Sequence, residues 1–173
     1  MRQERSEAGG ILEGVFQPPE NPSGLFSFST ELPVPPAVDQ QNSGKCWLYA
    51  ACNLYRARMI RRFGLADFRF SVNYLSFYDL LEKADTFLTL MTELRGRDTE
   101  DRLLAFKLAD PITDTGQWAF FTALVSRYGL VPEACMPDTQ TSLNPWELIF
   151  VLSEMLREGA RRLREETGES STA

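Results

Sequence analysis

The sequence contains no histidine. That absence removes imidazole as a zinc ligand, as a general base and as a group that titrates near neutral pH. Cysteine is scarce too: there are three, at positions 46, 52 and 135, irregularly spaced and without a Cys-x-x-Cys pair. An odd, scattered set excludes a disulfide framework and a cysteine metal cluster, and it fits a reducing compartment. No apolar stretch approaches the roughly 18 residues of a membrane span. The polar N-terminus, Met1 to Glu7, lacks the apolar run of a signal peptide. Positive charge is the minority sign, 18 basic against 24 acidic side chains, for a net charge of −6. A net-negative surface argues against a partner held through its phosphates. The expectation is a cytoplasmic protein that uses no nucleic acid, membrane, metal or cofactor.

What remains is ordinary globular material, 173 residues of which 43% are apolar, enough for one domain that buries about 70% of its surface without staples. Residues 1–45 read as an extended arm ending in a loop. Prolines 18, 19, 22, 33, 35 and 36 favour polyproline and turn conformations, and Phe16, Phe26 and Phe28 suggest that the arm docks. Residues 46–167 read as a helical domain, and residues 168–173 as a frayed tail. The pattern predicts a helix over 46–62, buried at its start and stopped by Gly64. A second, capped by Ser71, covers 72–84, and a separate stretch follows near 86–95. A helix starting at Asp98 or Thr99 runs to Leu108, and 117–128 ends at Gly129. The last helix has Asn144 as its cap, Pro145 at its first position and Glu147 closing a capping box. Its expected buried stripe is Leu148, Leu152, Met155, Leu156 and Leu163. Arg56, Arg58, Arg61 and Arg62 read as a solvated helix face. Little is left for strands, so the chain reads as mainly α.

Gly44-Lys45 resembles a phosphate loop only superficially, because Cys46 replaces the magnesium-binding Ser/Thr and Asp39 stands where the leading glycine belongs. The informative segment is Asp39-Gln40-Gln41-Asn42-Ser43-Gly44-Lys45-Cys46-Trp47. It delivers a cysteine to the start of a long buried helix, where unpaired N–H groups and the positive end of the macrodipole favour thiolate over thiol. Attack by that thiolate on a carbonyl puts negative charge on the carbonyl oxygen, which needs preorganised donors. The Cys46 N–H can be one, and the Gln40 amide, folded back by the loop, the other. Cys52 falls on another side of the same helix and reads as core. Cys135, beside Met136-Pro137, has no chemical context and reads as structural.

At these residues the sequence resembles papain-like cysteine peptidases, through Gln-x-x-x-Gly-x-Cys-Trp. The run from Ser43 through Cys46-Trp47-Leu48-Tyr49-Ala50-Ala51-Cys52-Asn53 to Arg56 narrows the resemblance to the bleomycin hydrolase and aminopeptidase C branch. Phe70-Ser71-Val72-Asn73-Tyr74-Leu75, Asp114-Thr115-Gly116-Gln117-Trp118 and Tyr128-Gly129-Leu130-Val131-Pro132 with Met136-Pro137 follow in family order. Lys45 stands where the family usually has arginine, and Thr115 where it usually has glycine.

The resemblance implies a papain-like α+β fold of which this chain supplies the helical N-terminal half. It also implies that Cys46 is the nucleophile and Gln40 the oxyanion-hole side chain, acting on peptide substrates. The family's histidine base and its orienting asparagine have no counterpart here. Such partners lie roughly 130–150 residues beyond the cysteine, and the chain stops just short of that range. The β-rich domain that bears them would form the other wall of the cleft. Full-length members assemble as homohexamers, which a shorter chain need not do. Two functions are therefore expected in competition: the N-terminal part of a cytoplasmic cysteine aminopeptidase, inactive by itself, or a short non-catalytic relative serving as a binding or assembly module.

Overall fold

The computed structural model describes residues 35–113 and 116–169, with side chains through residue 166. The expectations for Phe16, Phe26, Phe28 and the prolines before residue 35, for Thr115 and for residues 170–173 lie outside that range. The described residues form six α-helices: α1 Cys46–Phe63, α2 Val72–Leu94, α3 Arg102–Ala109, α4 Trp118–Tyr128, α5 Gln140–Leu143 and α6 Trp146–Glu169. A single 3-10 turn, Glu133–Cys135, stands between α4 and α5. No strand occurs among the described residues. The nearest approach is one antiparallel bridge, Phe70 to Pro132, framed by Ser71 N–H to the Val131 carbonyl and Glu133 N–H to the Arg69 carbonyl, both 2.9 Å.

The helix stops follow local chemistry. Gly64 takes the left-handed conformation (φ 61°, ψ 34°) and returns its N–H to the Ile60 carbonyl, ending α1 where expected. Ser71 caps α2 by accepting from Tyr74 N–H at 3.0 Å. The two stretches expected over 72–84 and 86–95 are one helix of 23 residues, because Ala84-Asp85-Thr86 contains no breaker. α3 starts later than expected. Asp98 instead builds a turn, accepting from Glu100 N–H at 2.9 Å, and Asp101 is the cap, accepting from Leu103 and Leu104 N–H at 2.9 and 3.0 Å. At the start of α6, Asn144 closes the one-turn α5, its N–H bonded to the Gln140 carbonyl. α6 itself begins at Trp146.

Helix α2 packs against α1, α3, α4 and α6, and two apolar clusters form along it. One joins Leu48, Tyr49, Ala51 and Cys52 of α1 to Val72 and Leu75 of α2 and to Phe121 and Leu124 of α4. The other joins Phe87, Met91 and Leu94 to Leu104, Ile112, Leu156 and Ala160. The buried stripe of α6 is displaced from the expected one. Leu156 and Ala160 are buried, with Ile149, Leu152 and Leu163 packed beside them, whereas Leu148 and Met155 are exposed. The helix carries apolar residues on both sides, so spacing alone does not set the phase of the packed one.

Arg56 departs furthest from expectation. Arg58, Arg61 and Arg62 are exposed as read, but Arg56 is buried, only 6% accessible. Its guanidinium donates to the Phe68 carbonyl (2.5 Å), the Pro36 carbonyl (2.6 Å) and Asp67 Oδ1 (2.6 Å). A buried cation is tolerated where each of its donors meets an acceptor. Here the acceptors are the chain entering α1 and the chain leaving it. Val38 N–H adds a second tether to the entering segment, donating to Asn53 Oδ1 at 3.1 Å.

Candidate active site

The segment that enters α1 is a tight loop. Asp39 Oδ1 accepts from Gln41 N–H at 2.8 Å, an Asx turn. Gln41 and Gly44 take positive φ, 52° and 68°, and Ser43 N–H returns to the Gln40 carbonyl. The chain thereby reverses between Gln40 and Cys46, which stand at its two ends. Cys46 is the first residue of α1 and is exposed, whereas Cys52 is buried. Burial pushes the Cys52 thiol up to about 12, as expected of a cysteine in apolar surroundings. Cys135 is exposed in the 3-10 turn, so it is no part of either apolar cluster. Gln40 is half-buried, and its Oε1 has no hydrogen-bond partner among the described residues.

A segment far along the chain holds the loop from outside. Lys45 Nζ donates to the Ser142 carbonyl at 2.8 Å, and Asn42 Nδ2 donates to Asn144 Oδ1 at 3.1 Å. Burial lowers the Lys45 ammonium below its ordinary range, and the Asp138 and Asp79 carboxylates partly offset that. Lys45 therefore serves as a tether rather than as a solvated surface charge. The sequence signal for this second segment is Thr139-x-x-Ser142, which forms a capping box.

Trp47 faces the loop before α4. A Cβ placed on Gly116 would lie 2.0 Å from Trp47 Cε2, so the glycine is there to let the indole approach the backbone. Gly116→Ala is expected to destabilise the fold by about 1–3 kcal/mol and to shift the tryptophan emission. Gly96→Ala is the control, because a Cβ there meets nothing within 4 Å. Thermal melts of the two variants check the difference.

A cavity of about 460 Å³ lies elsewhere, between α2, α3 and α4. Its walls include Phe87, Leu90, Phe120 and Leu124, and neither Cys46 nor Gln40 lines it.

A helical domain on which a turned loop feeds an exposed cysteine into the start of a buried helix is that of a papain-like fold. The chain belongs to the Peptidase C1-like family, whose model matches residues 3–173. It is 37% identical over 162 residues to aminopeptidase C of Listeria monocytogenes, covering 91% of this chain and 37% of that protein. To aminopeptidase C of Lactococcus lactis it is 36% identical over 156 residues, covering 90% and 35%. To the mitochondrial cysteine proteinase 1 of Saccharomyces cerevisiae it is 39% identical over 132 residues, covering 75% and 27%. The crystal structure of PepW from a Lactobacillus superposes with a TM-score of 0.78 at 36% identity, over 83% of this chain and 32% of that one. The chain thus spans about a third of the length of these relatives.

Proposed function

We propose that Cys46 is the nucleophile, and Gln40 an oxyanion donor, of a cysteine aminopeptidase that cleaves peptide bonds through an acyl-enzyme. The observation that carries this is the contrast on one helix: Cys46 is exposed at the first position of α1 while Cys52, six residues on, is buried. The sulfur of Cys46 bonds to the substrate carbonyl carbon, the carbonyl oxygen takes the negative charge, and the Cys46 N–H with the Gln40 amide receives it. Collapse of that intermediate expels the amine, which must be given a proton as it leaves. The 173 residues hold no imidazole to supply it, so the polypeptide by itself is a catalytically incomplete part of the machine. A reducing, cytoplasmic setting suits a free exposed thiol of this kind, and no helix among the described residues is long and apolar enough to cross a membrane.

The test is a chimera in which residues 35–169 replace the matching segment of the Listeria aminopeptidase C. Release of a fluorescent amine from an aminoacyl substrate is expected from the chimera and not from the 173-residue chain. Cys46→Ala is expected to abolish it, and Gln40→Ala to lower kcat by about 10²–10³. An active chimera indifferent to Cys46→Ala would end the proposal.

A further inference from the structure

The turn that grips the nucleophile loop is organised by one carboxylate. Asp138 Oδ1 accepts from Ser142 Oγ at 3.0 Å, and Asp138 Oδ2 accepts from Tyr49 OH at 3.3 Å. Ser142 is the residue whose carbonyl receives the Lys45 ammonium. Tyr49 is buried and lies in the first turn of α1, its N–H bonded to the Lys45 carbonyl at 3.1 Å. Asp138 therefore reaches both sides of Cys46: Lys45 before it, through Ser142, and Tyr49 after it, directly. The segment is braced in turn against α2, where Ser71 Oγ donates to the Met136 carbonyl at 2.5 Å and Asn73 Nδ2 to the Pro137 carbonyl at 2.9 Å.

The electrostatics agree with the geometry. The Asp138 carboxylate raises the Tyr49 hydroxyl, which burial already pushes up, so the phenol stays a donor. The same carboxylate supports the charged form of Lys45 against its burial. A hydroxyl and an ammonium that both need an acceptor are thus served by one side chain and the turn it closes.

We propose that Asp138 is a positioning residue for Cys46, clasping the first turn of α1 to the turn that opens α5 so that the sulfur and the oxyanion donors keep their mutual geometry. This rests on the reading of Cys46 as the nucleophile. Asp138 touches neither substrate nor thiol in this role, so its loss should spare the accessibility of the sulfur and impair only reactions that need the donors in place.

Two reactions of Cys46 separate these effects on the 173-residue chain. Iodoacetamide is attacked at carbon with loss of iodide and develops no oxyanion. An aminoacyl thioester of thiophenol transfers its acyl group to Cys46 sulfur and releases thiophenolate, passing through a tetrahedral oxyanion. The ratio of the two rates, read at Cys46 by mass spectrometry, reports the donor geometry. Asp138→Ala is expected to lower the ratio about tenfold and Asp138→Glu to restore it. Tyr49→Phe, which deletes only one hydroxyl, is expected to lower it less and serves if Asp138→Ala does not fold. An unchanged ratio in Asp138→Ala, or in Tyr49→Phe where it stands in, overturns the role of Asp138 alone. A wild-type ratio no higher than that of the chain unfolded in guanidinium removes the nucleophile reading, and this role with it.

Discussion

Replacing Arg56 with alanine is expected to cost about 3 kcal/mol, from carbonyls left without a donor and the lost packing of the stem. That corresponds to a fall in melting temperature of roughly 10 °C for a domain of this size. The largest part comes from the Phe68 and Pro36 carbonyls, which each receive a guanidinium N–H. The ion pair with Asp67 contributes less, because the Asp67 side chain is 61% exposed and water screens it. Arg56→Lys is expected to recover little, since one ammonium cannot reach three acceptors spread around a planar fork. The pH dependence has a definite sign. The Arg56 hydrogen bond holds the Asp67 carboxyl below its usual range. Its contribution is therefore present above the ordinary carboxylate value of about 4 and is lost as pH falls through the depressed one. Thermal melts of both variants near pH 7 and near pH 3 check this, and a gap to wild type that widens in acid would contradict it. The effect reaches the site as well. Pro36 lies just ahead of Asp39 and Gln40, so freeing its carbonyl slackens the chain that carries the amide into the loop.

Arg56 also shows where sequence reasoning stops. Four arginines in a seven-residue stretch of helix look alike by spacing, and three of them do face water. Which one is internal depends on where Pro36 and Phe68 present their carbonyls, and these lie 20 and 12 residues away in sequence. The phase of α6 fails for a related reason. With Phe150, Val151 and Met155 exposed and Leu152 and Leu156 packed, its periodicity admits two buried faces, and only the position of α2 chooses between them. What was legible is local. The Gly64 stop, the Ser71 cap and a cysteine opening α1 follow from backbone chemistry within a few residues. Asp138 is not legible in this local way, because its partner Tyr49 is 89 residues away in sequence.

The widest separation is expected between the two thiols of α1. Burial pushes Cys52 up to about 12, so at pH 7.5 that group stays a thiol rather than the reactive thiolate. That residue also belongs to the buried apolar cluster that α1 forms with α2 and α4, and an alkylating reagent reaches it only when the helices part. Cys46 needs no such opening, since it is exposed at the end of the helix where the N–H groups point outward. Iodoacetamide at pH 7.5, followed by peptide mapping, is expected to modify Cys46 at least about 10² times faster than Cys52. Cys135, exposed on its 3-10 turn, supplies an internal ruler for an accessible cysteine away from a long helix start. In guanidinium the three rates should converge, which shows that the fold and not the neighbouring sequence separates them. Equal rates at Cys46 and Cys52 in the folded chain would remove the cleft from the start of α1.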